Sequence, residues 1–306
     1  MAGLVMLSAV FNLLQETISD IISDDSDGIE GRVAFPKYLD VGKMTGAYID
    51  DAEYAGPGFV QEKPEGAPMS HATIRAGAQT RYMARTFAQQ LDFTREVVSD
   101  CKYEQVIEAA RLQKQAIWET ADMDAALMLV RAVTAGYVGG DGLTLANAAH
   151  TLPAGGTYSN TMAVPMSPSR LAVNLALSTL KQMTSVSGFI GAIEGRKILC
   201  PTAQGFTWQG IVGSEKAPEP GQFNEINTVY RYFNGIEDIV EIPYWNTTTT
   251  NWAIKTSAKN GICWKWRERP ETNTWKDNSG LILCHSIWAR WSRGWSNARG
   301  IYFVNA

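Results

Sequence analysis

The sequence predicts an α+β fold, and three stretches of unlike composition carry this prediction. Residues 94–135 contain neither glycine nor proline, residues 42–81 are punctuated by both, and residues 245–306 hold eight of the ten tryptophans. The first stretch is typical of one long helix and the second of strands joined by tight turns. The third is typical of a sheet that buries large aromatic side chains on one face.

The long helix is predicted to run over residues 94–135. Thr94 can cap its first turn, Glu96 places a negative charge where the helix dipole favours one, and Gly136 can end it in a left-handed conformation. Apolar side chains recur at three-, four- or seven-residue steps and mark one buried stripe: Val106, Ala110, Ile117, Ala121, Ala125, Met128 and Ala132. Such a helix would be roughly 60 Å long, which suits an elongated building block better than a globular enzyme.

The charge of the chain is small overall but unevenly distributed. The net charge of −4 and the pI near 5.5 argue against a dedicated nucleic-acid binder. Residues 1–60 carry ten acidic and three basic side chains, a net charge of −7, whereas residues 245–306 carry three acidic and nine basic ones, a net charge of +6. We therefore expect the acidic N-terminal part to attract the basic C-terminal part, within one subunit or between neighbours.

The cysteines and histidines form no recognisable metal motif. Cys101, Cys200, Cys263 and Cys284 lie far apart in apolar or periodic stretches, which favours reduced, buried thiols and synthesis in the cytosol. No histidine has metal-ligand spacing to a cysteine or to another histidine. The sequence therefore predicts no metal site, no cofactor-binding residues and no cofactor.

The first fourteen residues resemble the core of a signal peptide. No lysine or arginine precedes Arg32, however, and the apolar run is too short to span a membrane, so no membrane partner is expected. Apolar residues repeat at threes and fours and predict an amphipathic helix that docks on another surface: Leu4, Leu7, Phe11, Leu14, Ile18 and Ile21. An acidic joint follows at residues 23–31, and we expect its residues 24–30 to face a basic surface of residues 245–306.

Residues 42–81 alternate short extended runs with glycine and proline, which predicts a long β-hairpin. The runs form no thick apolar face, and a two-stranded ribbon is marginally stable at best alone in water. We therefore expect the hairpin to lean on another chain. A disordered surface loop is the alternative, against which Tyr48, Tyr54 and Phe59 argue.

One pair of residues in a glycine-rich loop suggests catalysis. Asp141 and His150 lie within residues 139–160 and could form the general-base pair of a hydrolase. No serine or cysteine elbow, P-loop or dinucleotide-binding motif accompanies them. Because Asp, Asn and His in such loops more often satisfy backbone groups in tight turns, we expect no catalytic residues and no enzyme activity.

Residues 165–245 read as a compact lobe of alternating helices and strands. A helix is predicted from Ser167 and Pro168 to about Met183, and another over residues 202–212. Strands are predicted over residues 196–200, 229–232 and 236–242, with an exposed loop at residues 214–222.

The tryptophan-rich segment alternates in the manner of a strand. Ile262, Trp264 and Trp266 are interleaved with Cys263, Lys265 and Arg267, and residues 287–291 show a mixed pattern typical of a sheet packed on one face. Tryptophans among arginines could instead stack on the bases of single-stranded nucleic acid. Burial against the long helix and at a subunit interface explains the same residues without a ligand, and we favour it.

The order of these segments resembles one known family. The resemblance is carried by GFVQEKPEGAP at residues 58–68, RYMARTFAQQLDFTREVVSD at 81–100, GDGLTLANAAHTLPAGGTYSN at 140–160 and WSNARGIY at 295–302. Over nearly the whole chain they resemble the major capsid (head) protein of Mu-like tailed bacteriophages, which has the Hong Kong 97-like fold. The tryptophan-dense tail and the short, proline-rich loop at residues 214–222 depart from that pattern.

The resemblance implies an assignment of parts. Residues 1–35 would be the N-terminal arm, residues 36–92 the E-loop with its flanking segment, and residues 93–164 the P-domain spine helix with the following loop. Residues 165–245 would be the A-domain, and residues 246–306 the P-domain sheet and C-terminus. Covalent cross-links between lysine and asparagine occur in some relatives, but no pair here stands out and none is predicted.

The implied function is that of a major capsid protein, which self-assembles into pentamers and hexamers that form the icosahedral head of a tailed phage around double-stranded DNA. The implied partners are further copies of the chain, portal and scaffold or decoration proteins, and packaged DNA bound without sequence specificity. Assembly would take place in the host cytoplasm and the product would be the virion. An arm and a hairpin that cannot stand alone suit such a shell, whose subunits touch several neighbours. An encapsulin-like compartment shell protein is the alternative.

Overall fold

The computed structural model confirms the α+β class. It describes residues 16–17, 28–94, 96–97, 103–153, 155–190, 193–216, 225–233, 239–246, 250–277 and 282–305. The helices are α1 (Ile29–Arg32), α2 (Phe35–Tyr38), α3 (Tyr103–Val130), α4 (Arg170–Gln182), α5 (Gly205–Val212) and α6 (Thr228–Phe233). The strands are β1 (Asp40–Lys43), β2 (Tyr48–Ala55), β3 (Arg75–Met83), β4 (Arg85–Thr94), β5 (His150–Thr151), β6 (Thr157–Tyr158), β7 (Gly195–Pro201), β8 (Ile239–Ile242), β9 (Trp252–Thr256), β10 (Ile262–Lys276), β11 (Ile282–Trp295) and β12 (Ile301–Val304).

The first sheet has the strand order β1-β10-β11-β4 and lies against the long helix α3. Strand β1 is parallel to β10, and the other pairs are antiparallel. Side chains of α3 share one core with Trp264, Trp266 and Trp291 of the sheet. The predicted packing of the tryptophan-rich strands on the long helix is therefore confirmed.

The predicted long helix is present. Thr94, its expected cap, is the last residue of β4 and pairs with Ile282 of β11; residues 96–97 are helical, residues 98–102 fall outside the described residues, and α3 is described from Tyr103. The 28 residues of α3 span roughly 42 Å. The predicted stripe is confirmed, because all seven of its side chains are buried. Gly136 does adopt a positive φ of 94°, but it lies beyond the helix, which ends at Val130.

The second sheet has the strand order β12-β9-β7-β8. Strands β7 and β8 are parallel, while β9 is antiparallel to both of its neighbours. Strands β9 and β12 come from residues 246–306, so the pairing crosses the boundary that the sequence suggests at residue 245. A second core, which includes Trp208 and Trp252, lies between this sheet and helices α4 and α5.

Two local predictions in the α/β lobe need correction. The strand expected at residues 229–232 is the helix α6, because the Asn227 side chain accepts a hydrogen bond from the Val229 N–H at 3.0 Å and starts a helical turn there. Helix α4 begins later than expected, with Ser169 rather than Ser167 as its cap. Strand β7, helix α5 and strand β8 lie where the sequence predicts them, although residues 234–238 and 217–224 fall outside the described residues.

The predicted hairpin is present as an antiparallel ribbon of β2 and β3, with a bulge between Ala52 and Tyr54. Residues 56–74 connect the two strands without regular secondary structure. The base of the ribbon contacts other segments of its own chain, so its support does not come from a neighbouring chain alone.

The acidic N-terminal part pairs with the basic C-terminal part inside one subunit. Asp40 Oδ1 lies 2.7 Å from Lys255 Nζ, and Glu30 Oε1 lies 3.1 Å from Arg269 Nη1. The attraction predicted from the charge distribution is therefore confirmed for these residues. Of the predicted amphipathic helix only residues 16–17 are described, and they are helical; the carboxylates at positions 24, 25 and 27 lie outside the described residues.

The thiols that the structure describes are free and buried: Cys200, Cys263 and Cys284. Burial raises the pKa of the Cys200 thiol to about 12, which keeps it protonated and unreactive near neutral pH. Cys101 lies outside the described residues.

Candidate functional site

Asp141 and His150, the residues weighed as a catalytic pair, lie in contact. His150 Nδ1 is 2.6 Å from Asp141 Oδ2, and His150 Nε2 is 3.3 Å from the carbonyl oxygen of Leu145. The His150 ring is fully buried, and Asp141 Oδ1 accepts a hydrogen bond from the Leu143 N–H at 3.1 Å. Because both ring nitrogens face oxygen atoms of the chain itself, the geometry matches the turn-stabilising role that the sequence favours.

A buried arginine extends this contact towards the hairpin. Arg299 is 1% exposed; its Nη1 donates to Glu53 Oε1 at 2.7 Å and its Nε donates to the Thr184 carbonyl oxygen at 3.0 Å. The guanidinium carbon lies 3.8 Å from the ring centroid of Tyr158, and that ring stacks on His150 at 5.2 Å. Burial raises the pKa of Glu53, and the neighbouring Arg299 charge opposes this shift. The hydrogen-bonded ion pair of Arg299 and Glu53 is therefore buried away from water.

We call Glu53, Asp141, His150, Tyr158 and Arg299 the junction cluster. They come from three separate segments: strand β2 of the hairpin, the glycine-rich loop at residues 139–160, and the turn before β12. The loop also approaches the hairpin closely, since a Cβ added to Gly140 would lie 2.4 Å from the Gln79 carbonyl oxygen. The cluster therefore fixes the base of the hairpin on the body of the subunit.

Asp141→Asn is expected to make the free energy of unfolding less dependent on pH in the acidic range. Burial acts to raise the pKa of Asp141, but the His150 hydrogen bond and the Leu143 N–H outweigh it, and the pKa is lowered. The stability that the carboxylate contributes, about 1–3 kcal/mol for a charged hydrogen bond, is fully present above its usual pKa. It is lost as the pH falls through the lowered native pKa.

Urea unfolding of both proteins from neutral pH down to about pH 3 measures this difference. The wild type should be the more stable protein at neutral pH, and the difference in free energy of unfolding between the two proteins should become smaller as the pH falls. A difference that stays constant over the whole range would show that the Asp141 charge does not contribute.

Sequence reasoning found two members of the junction cluster and missed three. Glu53, Tyr158 and Arg299 carry no motif, and Glu53 and Arg299 stand 246 residues apart along the chain. A signal was nevertheless present. Two of the four stretches that carry the family resemblance, residues 140–160 and 295–302, meet in this cluster, and the stretch at residues 58–68 follows β2 directly.

Within the described ranges, no three His, Cys, Asp or Glu side chains group closely enough to hold a metal ion. None of the helices in the part of the chain that the structure describes is long and apolar enough to cross a membrane.

Solved structures share this fold over most of its length. A structure of Microbacterium phage Oxtober96 aligns with a TM-score of 0.55 at 11% identity, covering 89% of this chain and 90% of that one. The capsid of cyanophage P-SCSP1u aligns with a TM-score of 0.55 at 10% identity, covering 90% and 88%. A virus-like particle from Pyrococcus furiosus aligns with a TM-score of 0.55 at 9% identity, covering 95% and 98%. The fold is therefore the Hong Kong 97-like fold of phage capsids.

The family follows from the sequence comparison. A search of curated protein sequences finds no match. Residues 77–303 match the family model described as phage capsid protein, so the chain belongs to that family. The chain is accordingly a major capsid protein of a phage and a structural component of the virion, and this family implies a non-enzymatic role.

Proposed function

We propose that this protein builds the icosahedral head of a Mu-like tailed phage, assembling into pentamers and hexamers that enclose double-stranded DNA. Assembly takes place in the host cytoplasm, with portal and scaffold or decoration proteins as further partners. The placement among Mu-like phages is supported by the four sequence stretches quoted above. DNA is packaged without sequence-specific contacts, and a net charge of −4 suits a wall that must later release it.

The observation that carries self-assembly is the apolar tip of the hairpin. Within residues 56–74, Phe59 is 77% exposed, Val60 94%, Met69 80% and Ile74 72%. Large apolar side chains on a ribbon without its own core gain free energy when a partner covers them. A further copy of the chain is the partner that a capsid subunit meets most often.

The parts of the subunit follow the implied assignment. In this proposal residues 1–35 form the N-terminal arm and residues 36–92 the E-loop, which contains the β2–β3 ribbon. Residues 93–164 contribute the spine helix α3 of the P-domain, residues 165–245 the A-domain, and residues 246–306 the P-domain strands β10 and β11. The pairing of β9 with β7, and of β12 with β9, supports an A-domain that borrows two strands from the C-terminal segment.

Val60→Asp and Ile74→Asp are expected to reduce the yield of closed particles by about tenfold or more, because a buried unpaired carboxylate costs several kcal/mol. The melting temperature of the unassembled subunit should stay unchanged, since both side chains are exposed there. Glu62→Gln, in the same exposed segment, is the matched control and should assemble normally. Particle yield is counted by sedimentation and electron microscopy; normal yields from both aspartate variants would contradict the proposal.

An encapsulin-like compartment is the second candidate, because the virus-like particle from Pyrococcus furiosus shares the fold at a TM-score of 0.55. The contents of purified particles separate the two functions. Nuclease-protected double-stranded DNA supports the phage head, whereas an enclosed enzyme without DNA supports the compartment.

A further inference from the structure

A tight turn of the α/β lobe reaches across to the hairpin. Residues 184–190 form this turn: Thr184 and Ile190 pair as a bridge, and the Phe189 N–H donates to Ser185 Oγ at 3.1 Å. Gly188 has a φ of 85°, which lets the backbone reverse direction. The turn thereby presents Ser187 and Phe189 away from the lobe. We call residues 184–190 the clasp.

The clasp touches the hairpin at three levels. At the base, Arg299 bridges the Thr184 carbonyl oxygen and Glu53 of β2. Just beyond β2, the Gly56 N–H donates to Ser187 Oγ at 2.9 Å. Nearest the tip, the rings of Phe59 and Phe189 meet edge to face at 5.0 Å and 88°.

A cavity lies between the hairpin base and the lobe. Its volume is about 500 Å³, and its lining includes residues 52–54 of the hairpin, residues 185–186 of the clasp and residues 257–260 of the lobe. Close-packed side chains fix the angle between two packed units, and the cavity leaves this part of the contact without such packing. Beside the cavity, buried Tyr82 and the hydrogen bond from Ser296 Oγ to Asp51 Oδ2 hold β2 and β3 on the body of the subunit. On the side that faces the lobe, the clasp and the junction cluster supply the contacts that set the angle.

We propose that the clasp sets the angle of the hairpin in the free subunit and holds it through assembly, with Ser187 and Phe189 as positioning residues. This inference rests on the proposed self-assembly. The tip of the hairpin lies about ten residues beyond Glu53, up to roughly 30 Å of extended chain, so a rotation of about 10° at the base displaces it by roughly 5 Å. An error of that size removes a side chain from the pocket it should fill.

Removing the outer clasp contacts tests the inference. The variant Ser187→Ala/Phe189→Ala loses one hydrogen bond and one aromatic contact, which together reduce the population of correctly oriented hairpins about tenfold. We expect a similar fall in closed particles, counted by sedimentation and electron microscopy. The melting temperature of the unassembled subunit should change little, because Phe189 is exposed and the junction cluster remains.

A reversible cross-link separates positioning from general stabilisation. A Cβ at position 56 would lie 3.7 Å from Ser187 Cβ, within the Cβ separation of disulfides. In a Phe189→Ala background, Gly56→Cys/Ser187→Cys should restore assembly when oxidised and lose it again when reduced. Gly56→Cys with Phe189→Ala is the matched control, because it cannot close the cross-link and should stay defective in both conditions.

Two results would contradict the proposal that the clasp sets the angle of the hairpin. One is normal assembly of Ser187→Ala/Phe189→Ala. The other is failure of the oxidised Gly56→Cys/Ser187→Cys protein to assemble with Phe189 intact, which would mean that the clasp opens during assembly. The wild type is assembled in parallel, so that absence of wild-type particles counts against self-assembly itself and not against the clasp.

Discussion

Replacing Asp124 with alanine is expected to lower the free energy of unfolding by about 3–5 kcal/mol. Asp124 lies on α3 with a side chain only 7% exposed, and its Oδ2 accepts a hydrogen bond from Trp291 Nε1 at 2.9 Å. Arg293 Nε lies 2.9 Å from the same oxygen, and its side chain is 12% exposed. Without the carboxylate, the Arg293 charge and the Trp291 N–H are left buried without their partner, and this desolvation cost dominates the loss. Urea unfolding of the purified subunit measures it.

Two variants test whether burial is the cause. Arg85 also contacts Asp124, at 3.1 Å, but its side chain is 54% exposed, so Arg85→Ala should cost far less than Asp124→Ala. Asp50→Asn breaks the exposed pair with Arg81 and should change stability least. If Asp124→Ala destabilised the subunit no more than Asp50→Asn, the contacts of the Asp124 carboxylate with the sheet would not contribute to stability.

The elements that could be predicted from the sequence are those set by local pattern. The stripe of α3 repeats at helical steps, and the β2–β3 ribbon is bounded by glycine and proline. The alternation around Trp264 likewise marks β10. In each case the residues that decide the structure are close neighbours along the chain.

The elements that were predicted wrongly depend on distant partners or on one cap. Thr94 stands where the helix pattern begins and is expected to cap it, but its pairing with Ile282 of β11 makes it the end of a strand. The alternation of Phe87, Leu91 and Phe93 was the available signal for a strand. Residues 228–233 have strand-like composition, yet the Asn227 side chain turns them into a helix.

The candidate site could be predicted only in part. Asp141 and His150 stand nine residues apart in one loop, so their contact follows from sequence. Glu53 and Arg299 meet because the hairpin, the glycine-rich loop and the C-terminal turn converge in three dimensions. No periodic pattern along the chain predicts this contact, because it arises only when strands that are distant in sequence pair in the folded structure.

Trp264→Ala is expected to lower the free energy of unfolding by about 3–5 kcal/mol and to abolish particle formation. Trp264 is fully buried in β10; its ring centroid lies 4.6 Å from that of Phe35 and 5.3 Å from those of Trp266 and Trp291. Alanine leaves a cavity at the centre of this cluster that neighbouring rings fill only in part. Phe35 then loses its main aromatic partner, so the N-terminal segment is held less firmly on the sheet.

Two comparisons show whether burial at this point is decisive. Trp275, on the same strand, is 38% exposed, and Trp275→Ala should cost much less. Among the described residues Trp264 Nε1 has no hydrogen-bond partner, so Trp264→Phe removes no polar contact. It leaves a smaller cavity than alanine and should cost clearly less than Trp264→Ala. Equal losses from Trp264→Ala and Trp275→Ala in urea unfolding would contradict the central role of the cluster. A graded loss of unfolding free energy, matched by a graded loss of particles in sedimentation and electron microscopy, would tie the aromatic core to assembly. The reason is that α3 and the sheet present the hairpin and the lobe to neighbouring subunits only while that core holds them together.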